Sequence, residues 1–202
     1  MGQLGSAGVL MRGIGRRLVF SRPRAWVGAT VEFPRLLRGV RIPHGATCLD
    51  IATGLGWASA GLAWRDPSAK IVALDYDETI LPRTRDYLSS HGAANTMICR
   101  ADAKHLPFAA STFDLALCLY GLHHCRGYLE ALREIARVLK LDGTLALIDP
   151  VRKPGKPPGG HHGTEVPTGQ EWQQMLGKAG FRSVSPRVSM GRAKAVVRKV
   201  AS

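Results

Sequence analysis

The chain has 202 residues, 45% hydrophobic and 21% charged, with a formal net charge of +13. That length and balance suit one domain with a substantial core. No apolar run approaches the ~20 residues a membrane-spanning helix needs, and the apolar core of a secretory signal is missing, so export is not expected.

Residues 1–44 carry eight arginines against the single acid Glu32. Met1 to Arg24 has no acid and is rich in Gly, Arg and Ser, which suits a disordered start, an organellar presequence or a basic arm. Ala25 to Val40 places Trp26, Val27, Val31, Phe33, Leu36 and Leu37 at loosely helical spacing, interrupted by Pro34. The spacing predicts a short helical segment.

From Ala46 onward strands and helices alternate. Ala46 to Ile51 is an apolar run carrying Asp50 near its end, the pattern of a buried parallel strand. A turn of small residues follows, Ala52-Thr53-Gly54-Leu55-Gly56, and a helix opens at Trp57. A strand, a small-residue turn and a helix build a nucleotide crevice at the carboxyl edge of an open sheet. The next strand, 70–75, ends in Asp75, about 20 residues beyond Gly56, where such folds bind ribose hydroxyls. A nicotinamide dinucleotide and S-adenosylmethionine both fit this much. Ser59 in place of a third glycine, and bulky Trp57 at the helix start, weigh against the dinucleotide.

Further strands are expected at 95–100, 113–119 and 143–149, with helices near 57–65, 78–91 and 126–140. In the last of these Leu129, Leu132, Ile135, Ala136 and Leu139 form one apolar stripe. A loop at 150–168, expected to be mobile, leads to a helix at 169–179. A hairpin at 182–189 and 192–199 then turns at Met190-Gly191. The alternation predicts an α/β fold, a Rossmann-like doubly wound sheet of about seven strands, mostly parallel. The expected division is a basic arm and capping segment at 1–44 and a cofactor domain at 45–202. The four cysteines show no CxxC spacing and read as buried thiols, so no metal site is expected.

Five segments, LDIATGLG (49–56), IVALDYDETILPRTRDYL (71–88), CRADAKHLPFAASTFDLALCLYGLHHC (99–125), YLEALREIARVLKLDGTLALID (128–149) and EWQQMLGKAGFRSV (171–184), occur in one order. In that order they resemble the class I S-adenosylmethionine-dependent methyltransferases, in the small branch that includes ubiquinone/menaquinone-biosynthesis-like enzymes. The resemblance implies an antiparallel terminal strand and an amino-terminal segment lying over the crevice. It also implies S-adenosylmethionine as cofactor and S-adenosylhomocysteine as product. One departure is Ala52, where that family usually has glycine.

On this resemblance Asp50 braces the loop or meets the cofactor amino group, and Thr53, Gly54 and Gly56 offer backbone to the methionine part. Asp75 accepts the ribose hydroxyls, with Tyr76 beside the adenine. Asp102, followed by Ala103, takes the adenine amine, and Tyr120 closes the set of cofactor residues. His123 and His124 are the candidate catalytic residues, because they follow the strand end that faces the methyl group and an imidazole can accept a proton near neutrality. Their alternative reading is as loop-ordering residues. His161-His162 suit a solvated loop tip or the acceptor site.

The connection after the fifth strand is short and rich in Gly and Pro. It suits a large or amphipathic acceptor, or a site completed by a second subunit in a homodimer. Residues 151–202 hold ten Lys and Arg against two glutamates, whereas 45–150 holds ten basic and twelve acidic residues. Basic flanks suit an anionic membrane, nucleic acid or an acidic substrate, and equally a solubilising surface. The leading expectation is methyl transfer to a small or lipid-like acceptor, such as a quinone-type ring or a natural product. Nucleic-acid or protein methylation and a non-catalytic cofactor-binding partner are the alternatives. The expected location is cytoplasmic, with peripheral membrane contact or an organellar presequence as variants.

Overall fold

The computed structural model describes residues 27–156, 165–182 and 186–201, apart from the side chain of Ala29. The expected basic arm at 1–24, the pair His161-His162 and the start of the hairpin lie wholly or partly outside these residues.

Among the described residues seven strands form one sheet in the order β3-β2-β1-β4-β5-β7-β6. They are β1 (Thr47–Ile51), β2 (Lys70–Asp75), β3 (Thr96–Arg100), β4 (Phe113–Leu119), β5 (Leu139–Pro150), β6 (Arg187–Ser189) and β7 (Arg192–Arg198). The first five pair in parallel, β7 runs antiparallel to β5, and β6 antiparallel to β7. The helices are α1 (Phe33–Leu36), α2 (Trp57–Arg65), α3 (Leu81–Ser90), α4 (Tyr128–Val138) and α5 (Gly169–Lys178). A π-helical turn, Gly28–Glu32, leads into α1, and a 3-10 turn, Leu122–His124, follows β4.

Helices cover both sheet faces because the central strands are apolar on both sides. On one face Leu132, Ile135 and Trp172 pack over Leu49, Ile51, Ala116 and Leu147. On the other, Phe33, Leu36 and Leu62 pack over Cys48, Leu117 and Ile148. Thr168 fixes the start of α5 in a reciprocal capping box with Glu171, which satisfies two otherwise orphaned backbone donors.

Three expected boundaries move. The third helix begins at Leu81, since Asp77 forms a local turn that occupies 77–80. The helix expected near 126–140, α4, stops at Val138, and the strand starts at once with Leu139 opposite Phe113. The strand expected at 143–149 thus starts earlier, and Asp142-Gly143 lie in an irregularity around which the β4–β5 register shifts, with Asp142 at φ 60. A Cβ on Gly143 would lie 2.8 Å from the Lys140 carbonyl oxygen, so the chain folds back too tightly there for a side chain. Among the described residues the hairpin pairs Arg187–Ser189 with β7 and turns at Met190-Gly191.

Candidate active site

Parallel pairing brings the carboxyl ends of β1, β2, β4 and β5 to one edge, and the predicted site residues collect along it. The loop after β1 is braced from within. Asp50 is buried, and its Oδ2 accepts from Thr53 Oγ1 and from Ser59 Oγ, each at 2.7 Å. From this buried position Asp50 braces the loop against the start of α2. Burial pushes its carboxyl up to about 6, against the pull of those two hydroxyls and a further hydrogen bond from the Ser59 amide.

The backbone amides of this loop are bonded within the protein. The Thr53 amide donates to the Leu74 carbonyl, the Gly54 amide to Asp75 Oδ2, and the Gly56 amide to the Thr53 carbonyl. These bonds close the turn and tie it to β2, so the loop contributes shape and close approach. Gly56 sits at φ 86, and a Cβ there would lie 3.1 Å from Leu88 and Thr84. Its glycine is thus required by the packing of α3 and by the left-handed backbone. The N-cap residue of α2, Gly56, supplies no side-chain cap, and Asp50 meets the first turn instead through the Ser59 amide and hydroxyl.

Asp75 ends β2, where its Oδ2 receives the Gly54 amide at 2.9 Å and its Oδ1 the Asp77 amide at 3.0 Å. Each carboxylate oxygen retains lone-pair capacity for a hydroxyl. Burial raises the carboxyl above its ordinary range, against those backbone bonds. Tyr76 follows with 45% of its surface exposed, open to a flat ring. The Ala101 amide donates to the Asp75 carbonyl, joining the β3 end to the same edge. Asp102 Oδ1 accepts from the Lys104 amide at 2.9 Å, while Ala103 is half-buried against the core. The loop carrying Asp102 is clamped by a pair the sequence reading did not single out. Glu134 accepts from the Leu106 amide, and Arg137 donates to Glu134 and to the Leu106 and Phe108 carbonyls.

Tyr120, expected among the cofactor residues, has its hydroxyl engaged elsewhere. It lies 3.0 Å from Glu32 Oε1 and 2.9 Å from Arg192 Nη1, which also bonds Glu32. The amino-terminal segment, the β4 loop and β7 are thereby tied together at the site's edge. Close to this knot Ala52 adopts φ 55, and a Cβ on Gly121 would come 2.4 Å from the Ala52 Cβ. The two loops touch so closely that one of these positions must lack a side chain.

His123 and His124 separate. His123 is 8% exposed, and its Nδ1 lies 2.8 Å from Oδ1 of Asp149, a wholly buried carboxylate at the end of β5. His124 is exposed, with its ring centroid 3.9 Å from that of His123 and the two planes tilted by 43°. Burial lifts Asp149 above the usual carboxylate range despite the His123 bond. Among the described residues its Oδ2 and the Tyr128 hydroxyl, both buried, have no hydrogen-bond partner. Asp149 escaped the sequence reading because an acid closing an apolar strand resembles the start of a turn. Its one signal was the lone charge in an otherwise apolar run, LALID.

The carboxylates of Asp75 and Asp102 and the tight glycine turn fit S-adenosylmethionine at this edge. The model of the methyltransferase domain family matches residues 49–147. Over 136 residues the chain is 36% identical to the ubiquinone/menaquinone biosynthesis C-methyltransferase of Ectopseudomonas mendocina, covering 66% of this chain and 50% of that protein. The demethylmenaquinone methyltransferase of Listeria monocytogenes is 29% identical over 73% of this chain and 56% of its own length. The chain thus spans about half the length of the curated relatives it matches. A SAM-dependent methyltransferase from Aquifex aeolicus shares the fold, with a TM-score of 0.75 at 22% identity over 92% of this chain and 97% of that one. With its strand order, loop and domain match taken together, the chain belongs to the class I S-adenosylmethionine-dependent methyltransferases, of the ubiquinone/menaquinone-biosynthesis-like type.

Proposed function

We propose that this protein transfers a methyl group from S-adenosylmethionine to a lipid-like acceptor with a quinone-type ring, and that His123 takes the acceptor's proton. The observation that carries the reading is the buried His123–Asp149 pair at the same strand edge as Asp75 and Asp102. The quinone-type acceptor draws support from the named activities of the curated relatives.

When bound, S-adenosylmethionine supplies an electrophilic methyl group with its own leaving group. The chain's task is to hold the acceptor in line and to dispose of a proton. Asp75 orients the ribose, and the turn at 52–56 fixes the depth of binding. Asp149 accepts from Nδ1–H of His123, which leaves Nε2 as the basic nitrogen of a neutral imidazole. As the new bond to the ring forms, the proton leaving the acceptor passes to that nitrogen. A quinone-type acceptor resides in a membrane, so the reading places the enzyme at the aqueous side of one.

A methyl-labelled donor offered together with a reduced lipid extract, an aqueous metabolite extract and RNA tests the acceptor class. Label is expected in the lipid fraction. Label confined to RNA or to water-soluble metabolites overturns the reading.

A further inference from the structure

We propose that the β6–β7 hairpin is a docking surface for an anionic lipid bilayer, set at the edge of the sheet where the methyl site opens. The inference takes up the lipid-like acceptor of the preceding section and adds the surface that would bring the protein to it.

The argument begins with register. Arg187 lies directly opposite Lys194 and Ser189 opposite Arg192. Side chains alternate along β7, so Ala193, Ala195 and Val197 are buried on one face. Arg192, Lys194, Val196 and Arg198 take the other face, together with Arg187 of β6. Two cations directly opposed across a strand pair destabilise it, so this stripe costs the fold something. Arg192 is paired with Glu32. Among the described residues Arg187, Lys194 and Arg198 have no acidic partner, and residues 181–201 include six Lys and Arg but no Asp or Glu. Cations on an edge strand also discourage sheet-to-sheet pairing, but that role asks for no apolar residue beside them.

Apolar residues are there. Met190, at the turn, is 88% exposed, and Val196 lies exposed within the cationic stripe. Pro150 pairs with Arg192, and the Val151 amide donates to the Gly191 carbonyl at 2.9 Å. The turn therefore stands just past the carboxyl end of β5, on the edge that also carries Asp75 and the His123–Asp149 pair. Cations flanking an exposed apolar tip match a surface of phosphate headgroups over acyl chains. Nucleic acid fits less well, because residues 186–201 contain no Phe, Tyr or Trp on which a base could stack.

Co-sedimentation of the full chain with phosphatidylcholine vesicles, with and without phosphatidylglycerol, tests the proposal, with a single-stranded RNA oligomer measured in parallel. Binding is expected only to the anionic vesicles. Removing one cation should weaken it about fivefold, so Arg187→Gln with Lys194→Gln should weaken it about 30-fold. Met190→Asp should weaken it as well, and every variant should bind S-adenosylhomocysteine with the parent's affinity in calorimetry. Equal binding to neutral and anionic vesicles overturns the proposal. So does a double variant within twofold of the parent, which would put the attraction elsewhere in the chain, or a double variant that loses RNA but not vesicles. Vesicle binding is read without turnover, so failure of the acceptor reading and failure of this surface show separately.

Discussion

His123 Nδ1 and Asp149 Oδ1 lie 2.8 Å apart across 26 residues of sequence, joining the turn after β4 to the end of β5. Asp149 is fully buried and His123 nearly so, hence water competes little for either partner. A partner lost from such a pair leaves the other stranded in low dielectric.

Asp149→Asn is expected to lower turnover ~10²-fold or more while S-adenosylhomocysteine affinity stays within a few-fold. An acceptor already ionised in solution should recover most of that loss, because it needs no base. Asp149→Ala should in addition cost ~3 kcal/mol of stability, as expected when a buried pair is broken. If the asparagine variant loses cofactor affinity and stability in step with its rate, the pair only orders the loop.

Ala52 and Gly121 are expected to be energetically coupled. Gly121 has an ordinary φ of −117, so an alanine there meets no backbone strain but runs into the Ala52 methyl at 2.4 Å and, less closely, Cys118 Sγ at 3.2 Å. Gly121→Ala should destabilise the protein, and Ala52→Gly should restore much of the loss, with a coupling of ~1–3 kcal/mol in a double-mutant cycle. Ala52→Gly alone relieves the left-handed strain at φ 55 and should stabilise by ~0.5–1 kcal/mol. Additive denaturation midpoints would refute the contact.

Asp50 makes stability depend on pH. Its carboxyl is raised from 3.8 to about 6 in the fold, so the folded state disfavours its charge. Its contribution is fully present below the unfolded value and is lost as pH rises through about 6. Asp50→Asn should therefore gain on the parent by ~3 kcal/mol between these limits, provided the amide keeps the Thr53 and Ser59 bonds. Parallel stability curves for the two proteins from pH 4 to 7 would contradict this.

Asp75→Ala should weaken S-adenosylhomocysteine roughly 5- to 150-fold, the range for a lost hydrogen bond to a charged group. The same change frees the Gly54 amide, so loosening of the turn contributes to the effect. Unchanged affinity in calorimetry would remove Asp75 from the cofactor site.

Much of this was legible in the sequence because the informative residues stand where periodicity changes. Asp75 and the 52–56 turn mark the ends of apolar runs, and Met190-Gly191 marks a hairpin turn by its composition. What stayed hidden depends on residues distant in the chain. Asp149 meets His123 only after β4 and β5 pair, and Tyr120 meets Glu32 and Arg192 only once three segments converge. The strain at Ala52 could be read as a departure from a family pattern, but its cause, the close approach of Gly121, is a tertiary fact. The spent amides of Thr53, Gly54 and Gly56 belong to the same class, because their acceptors are set by loop geometry and by β2.

The most direct test is a single-turnover reaction with stoichiometric S-adenosylmethionine, labelled in its methyl group, and a short-chain demethylmenaquinol kept reduced. The account predicts labelled methylated quinol and S-adenosylhomocysteine in equal amounts, with the rate reduced ~10²-fold or more in His123→Ala. Tight cofactor binding with no label reaching the quinol, or a His123→Ala rate equal to the parent's, would contradict it.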